Sequence, residues 1–341
     1  MSQPNPDERI QVDTSDDESF FDTKSIVGSN LSFASSVHDY SYENGRRYHA
    51  YRPGQYPIPN DEEEQERLAL LHDLFKLVVG GDLHRAPINN NNNTTTPQRV
   101  LDIGTGTGVW ALEMAEAYPT TEIIGTDLSP IQPNWAPPNV RFFIDDAESE
   151  WAFGPAEKFD YVHARSMGGG IGDWPRFLRQ GWQSLKPGGW FEVQEFECWV
   201  RSEDGTHEEA RNVNDYMTLL AQASVKHGRP INIAKSVRQW MVEAGFDSVT
   251  DDIYKCPIGG WAKNQRLKEM GRLCRVTMLE GVEPYSLALF TRMLGFTYQQ
   301  TQEFMDKVRA EIVNTSLHLY VHFHYVYGQR PFENNGNSDT P

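Results

Sequence analysis

Cysteine is scarce in this chain: 341 residues hold three, Cys198, Cys256 and Cys274, in neither paired nor metal-like spacing. That excludes a disulfide-stapled scaffold and a cysteine-ligated zinc site. It is the usage of a protein kept in a reducing compartment, so cytoplasmic or nuclear residence is expected. Positive charge is short as well, with 31 Lys plus Arg against 48 Asp plus Glu and a net charge of −17. A field of that sign repels phosphate backbones, so no nucleic acid is expected as a general partner. Long hydrophobic runs are also missing. The first twenty residues carry no apolar stretch of signal-peptide type, and no run approaches the ~18 residues of a membrane span, so no membrane association is expected.

Residues 1–45 hold nine acids and two bases, many serines and few branched apolar residues. Such a segment buries too little surface to offset its ordering entropy. The reading is a disordered acidic tail over 1–41, with a second disordered stretch at 332–341. Within the tail, SFFDTKSIVGSNLSF is more apolar and is either a short docking motif or plain tail. Residues 42–98 form an N-terminal arm and a helix. Asn60 stands where an N-cap should be, with Glu63 three residues on, and Leu68, Leu71, Phe75 and Val78 follow at helical spacing until Gly80-Gly81. The aromatic stretch from Tyr48 to Tyr56 is a candidate lid or a hydrophobic arm packed on the core. The Asn-rich run 89–93 and Thr94–Thr96 read as a low-complexity surface loop.

From residue 99 strands and helices alternate. Strands are expected at Arg99–Ile103, Glu122–Thr126, Val140–Ile144, Tyr161–Ala164 and Trp190–Phe196, and a last one at His318–Tyr327. Helices fall between them: Val109–Tyr118, and one that Asp173 caps and Pro175 begins. Alternation of this kind predicts an α/β fold, a doubly wound and mostly parallel sheet spanning 99–331. Helical insertions are expected near 200–232 and 262–313. The first carries the stripe Val213, Tyr216, Met217, Leu220. The second carries a capping box, Thr297 with Gln300, ahead of Phe304, Met305, Val308 and Ile312.

The segment VLDIGTGTGVW puts Gly104, Gly106 and Gly108, with Thr105 between the first two, in a turn between strand and helix. Glycine there lets the backbone approach a ligand where a Cβ would collide. Dinucleotide-binding proteins share such turns, but their third glycine falls one residue later. Asp102, at the end of the first strand, would repel a pyrophosphate and suits an ammonium instead. Asp127 closes the second strand, 21 residues after Gly106, where a carboxylate can accept from both ribose hydroxyls. Asp145-Asp146-Ala147 closes the third strand; an acid there can accept from an adenine amino group while a following N–H reaches a ring nitrogen.

These pieces carry a resemblance. NGRRYHAYRPGQYPIPNDEEEQERL, VLDIGTGTGVWALEMA, GTDLSPIQP, FDYVHARSM, LKPGGWFEVQEF, PIGGW and HLYVHFHYVYGQRP are similar to segments of the LaeA-like family of fungal class I methyltransferases, from about Tyr42 to Pro331. The resemblance implies a Rossmann-like class I fold and S-adenosyl-L-methionine as cofactor, held by Asp102, Gly104, Thr105, Gly106, Gly108, Asp127, Leu128, Asp146 and Ala147. It also implies a link to fungal secondary metabolism. Two roles stay open: a methyltransferase acting on a small metabolite or a protein side chain, and a regulator that retains the cofactor fold and works through velvet-type proteins in the nucleus.

The acceptor should sit over the carboxyl ends of the fourth and fifth strands, beside the cofactor. His163 and Glu195 are the catalytic candidates. His163 is a possible base for a hydroxyl acceptor, or a histidine packed in the sheet; Glu195 could hold an amine acceptor or cap the strand end. Arg165 could anchor a substrate carboxylate or pair with Glu148 or Asp146. The fourth strand runs into Ser166-Met-Gly-Gly-Gly170 rather than an Asn-Pro-Pro-Tyr type of motif, which argues against nucleobase methylation. In the last strand His318, Tyr320, His322 and His324 share one face by period two. No acid adjoins them in sequence, so packing is the preferred reading and no metal is expected.

Overall fold

The computed structural model describes residues 8–13, 40–89 and 96–332. The strands are β1 (Ser41–Glu43), β2 (Arg46–Tyr48), β3 (Arg99–Ile103), β4 (Glu122–Asp127), β5 (Val140–Ile144), β6 (Phe159–Arg165), β7 (Leu185–Phe196), β8 (Asp247–Pro257) and β9 (Tyr320–Gln329). The helices are α1 (Glu62–Val78), α2 (Val109–Ala117), α3 (Trp174–Ser184), α4 (Arg211–His227), α5 (Ala234–Glu243), α6 (Gln265–Leu289) and α7 (Tyr298–Ile312). A π-helical turn, Phe290–Leu294, continues α6. The short β1–β2 hairpin turns at Asn44-Gly45, both at positive φ, as a two-residue hairpin requires.

Seven strands form one sheet in the order β5-β4-β3-β6-β7-β9-β8. The first five are parallel, and β9 runs antiparallel to both β7 and β8. The chain reaches the β5 edge and then crosses to β6 on the other side of β3. The strand order therefore reverses beside β3, and a cleft opens outside the carboxyl ends there. Alternate residues feed the two faces. Val100 and Ile123 pack under α2 with Trp110 and Met114, while Leu101 and Ile124 face the layer of α3 and α5. A third cluster joins α1, α4, α6 and α7 over β8 and β9. Its centre is Phe75 of α1, 1 % exposed and edge-on to Phe323 at 4.9 Å, with its carbonyl accepting from the Tyr325 hydroxyl at 2.6 Å. Burial of one such ring is worth ~1.5–3 kcal/mol, so α1 is fastened to the sheet rather than laid over it.

Four expectations are corrected. The N-cap of α1 is Asp61, whose side chain accepts from Glu64 N; Asn60 instead turns inward, its Nδ2 donating to Ser129 Oγ at 3.1 Å. The last strand is shifted two residues, to Tyr320–Gln329. The strand β8 has no counterpart in the sequence reading, because DSVTDDIYKCP is acidic enough to resemble a loop. Within the expected acidic tail, residues 8–13 are docked: Ile10 is buried, Val12 bridges Ala262, and Asp13 pairs with Lys268. The SFFDTKSIVGSNLSF stretch, most of the Asn-rich loop and residues 333–341 lie outside the described residues.

Candidate functional site

The glycine turn leaves β3 with Gly104, Gly106 and Gly108 at φ 66, 57 and 80, left-handed values that side chains rarely adopt. Asp102, the residue before the end of β3, is buried. Its Oδ2 accepts from Thr105 Oγ1 at 2.5 Å, and His163 Nδ1 lies 2.7 Å from its Oδ1. Asp127, at the end of β4, accepts from the amides of Gly106 and Ser129, both at 2.8 Å. Desolvation raises its carboxyl to about 6 in spite of those two donors. After β5, Asp146 accepts from Glu148 N at 2.9 Å and lies 3.5 Å from Arg52 Nε.

These residues border two adjoining cavities. The larger, with about 910 Å³ of empty space, is lined by Gly104, Gly106, Asp127, Leu128, Asp146 and Ala147 on the sheet side and by Gln55, Tyr56, Pro59 and Glu64 on the other. The smaller, about 430 Å³, lies behind the turn and is lined by Asp102, Thr105, Trp110, His163 and His72; Leu68, Gly104, Gly106, Arg165 and Ser166 belong to both. Gly108 borders neither and serves as the N-cap of α2. The carboxylate at the end of β4, the acid after β5 and a turn without Cβ atoms fit a nucleoside-bearing cofactor along the larger cavity.

The two catalytic candidates lie in different surroundings. His163 does not border the larger cavity. It lines the smaller one, its ring stacked on Trp110 at 3.7 Å and 5° and its Nδ1 2.7 Å from Asp102. Glu195 is 3 % exposed and accepts from the amides of Met167 at 2.6 Å and Gly168 at 3.1 Å. It fixes the turn after β6, and burial pushes its carboxyl up to about 8. Arg165 pairs with neither Glu148 nor Asp146. Glu148 pairs with Arg229 instead, and Arg165 donates to His72 Nδ1 at 2.9 Å. Gln55 and Arg229 went unnoticed as lining residues, since no spacing marks them, whereas Tyr56 belongs to the aromatic stretch read as a lid or a packed arm. The buried Glu64–Arg67 pair, 2.6 Å, would pass on sequence for an exposed i, i+3 pair.

The histidine row also gains acids that the sequence order hides. Glu197, just past β7, reaches His322 Nδ1 at 3.1 Å and His324 Nε2 at 3.2 Å, and Asp251 of β8 reaches His324 Nδ1 at 2.9 Å. These three side chains, Glu197, His322 and His324, bring ligand atoms within 4.8 Å of one another. Arg201 at 2.7 Å and Lys235 at 3.3 Å also contact Glu197. Although burial pulls His324 down, Asp251 and Glu197 raise it to about 9. Glu197 is held far below the usual carboxylate range, its burial outweighed by the two histidines.

A sheet with one reversed strand lodged between its last two neighbours, and a glycine turn feeding a cleft edged by acids, defines an S-adenosylmethionine-dependent methyltransferase of class I. The methyltransferase domain family matches residues 70–251. The chain belongs to the LaeA-like family of fungal methyltransferases, and its cofactor is S-adenosyl-L-methionine. It is 43% identical to methyltransferase pytC of Aspergillus terreus over 96% of this chain and 98% of that one. It is 34% identical to the secondary metabolism regulator LAE1 of Cochliobolus heterostrophus (85% and 94%) and 33% identical to the protein-methionine methyltransferase laeA of Emericella nidulans (85% and 76%). Among the described residues no helix is long and apolar enough to cross a membrane.

Proposed function

We propose that this methyltransferase acts on a small secondary metabolite rather than on a side chain of a folded protein. One observation carries the reading: the arm forms one wall of the larger cavity. Tyr56 packs over Gly170, and Gln55 is tied to the far end of α4. His227 Nε2 lies 3.0 Å from the Gln55 carbonyl, and Arg229 Nη2 donates to its side chain at 3.2 Å. Arg229 also donates to the Gly170 carbonyl at 2.5 Å, which joins arm, α4 and the turn after β6 into one wall. An acceptor must therefore reach the cofactor within the space that these residues wall in.

The cofactor supplies a methyl group on a sulfonium, already a good leaving group. The chain's task is placement and exclusion of water. Asp127 is assigned to the ribose, Asp146 with Ala147 to the base, and Asp102 to the amino end. Thr105 and His163 hold Asp102 in orientation, Leu128 and the glycines shape the wall, and Glu195 holds the Met167–Gly168 turn against the acceptor side.

A second reading is regulatory. A relative named as a regulator of secondary metabolism supports it; the partners proposed from the family resemblance are velvet-type proteins in the nucleus. The test is to incubate the purified full chain with methyl-labelled cofactor and a fungal extract split into small-molecule and macromolecular fractions. Label in the small-molecule fraction is the expected result. Label confined to protein would overturn the proposal in favour of a protein side chain as acceptor, and no label in either fraction would favour the regulatory reading.

A further inference from the structure

Arg165 ends β6 beside the glycine turn and borders both cavities. Its guanidinium lies 5.3 Å over the Phe75 ring, and its one hydrogen bond of 2.9 Å goes to a neutral acceptor, His72 Nδ1. Burial, then the neighbouring Arg165, lowers His72 to about 4, so its ring is neutral and can accept at Nδ1 while Nε2 faces Glu113 at 3.2 Å. Among the described residues no carboxylate lies within ion-pair distance of Arg165. The other arginines near the cleft each have one: Arg52 with Asp146, Arg67 with Glu64, Arg229 with Glu148. Asp102 and Glu113 act on it only at longer range, and a partly buried cation without a contacting counter-ion is one that a ligand anion would stabilise.

The same recess holds one carboxylate, Asp102, and is also lined by Gly104. A ligand end that satisfies both groups carries an anion and a cation together, as an α-amino acid does. We infer that Arg165, braced by His72, binds the carboxylate of the cofactor's amino-acid end, whose ammonium faces Asp102. This rests on the reading that the larger cavity holds S-adenosylmethionine. It places the adenosine along Asp127 and Asp146 and the amino-acid end in the smaller recess, past Gly104 and Gly106.

The test is calorimetry on the full chain with two ligands. S-adenosylhomocysteine carries the amino acid; 5′-methylthioadenosine keeps the nucleoside and thioether and lacks it. Wild-type protein should bind the first more tightly. Arg165→Met should weaken S-adenosylhomocysteine about 10- to 150-fold, the range of charge-assisted hydrogen bonds, and leave methylthioadenosine within about twofold. Arg165→Lys, which keeps the charge, should recover part of the loss, and thermal melts check that both variants fold. Equal losses for both ligands would make Arg165 a structural residue and overturn the inference, as would unchanged affinity for S-adenosylhomocysteine. If wild-type protein binds neither ligand, the cavity reading falls and takes the inference with it.

Discussion

Replacing Asp127 by alanine examines the cofactor cleft at its most informative point. The carboxylate closes β4 and is held by two backbone donors at 2.8 Å, which leaves lone pairs free to accept from ribose hydroxyls. Hydrogen bonds to a charged acceptor are worth ~1.5–3 kcal/mol, so Asp127→Ala should cost one to two orders of magnitude in affinity for S-adenosylhomocysteine. The pH dependence adds a second readout. With the carboxyl at about 6 in the free protein, the charged form is complete at pH 8 and a minority at pH 5. Wild-type affinity should therefore be roughly tenfold weaker at pH 5 than at pH 8, and this component should vanish in Asp127→Ala. The substitution also strands the amides of Gly106 and Ser129, so the comparison is made by calorimetry below the variant's own melting range. Wild-type affinity in the variant, or an unchanged pH dependence, refutes the assignment of Asp127 to the ribose.

Two further outcomes follow from the packing. His324 is held charged up to about 9 in the folded chain against 6.5 in an unfolded one; its contribution is complete below pH 6.5 and is lost as pH rises through 9. Urea unfolding should show on the order of 3 kcal/mol of stability draining over that window in wild type and not in His324→Gln; an identical slope in both would exclude the histidine as its source. Ile10 is 6 % exposed against Trp261 and Tyr320, so Ile10→Asp should remove roughly 2 kcal/mol and lower the melting temperature by about 4 °C. An unchanged melt would mean that residues 8–13 contribute nothing to stability.

The parallel half of the sheet was legible because its signals are local. Arg99–Ile103 and Val140–Ile144 appear with the boundaries their apolar runs announce, and the acids closing β3 and β4 fall where the glycine spacing puts them. What escaped depends on partners distant in the chain. The strand β8 carries Asp247, Asp251 and Asp252, which read as loop; two of them are neutralised across the fold, Asp252 by Arg85 at 3.1 Å and Asp251 by His324. Glu197 lies 125 residues from His322, so no window shows them together. Arg165 was matched to Glu148 and Asp146, the acids after the third expected strand, yet its neighbour in space comes from α1, 93 residues earlier. Ile10 and Val12 are too few apolar residues to lift a tail's composition, but they suffice when a bridge to Ala262 awaits them.

The position of β9 has a consequence for the order in which the chain is made. Residues 320–329 form an interior strand, bonded to β7 on one side and β8 on the other, although both neighbours precede them by 60 residues or more. During synthesis β8 has no sheet to join, and β7 presents an open, apolar edge. Both wait until the histidine-bearing strand clears the ribosome and closes the gap between them. That interval exposes an unpaired edge in a partly folded nascent chain, the situation in which sheets of this topology aggregate. A ribosome stalled before residue 320 would thus leave a product whose cofactor turn is complete but whose sheet is divided, a natural client for chaperones.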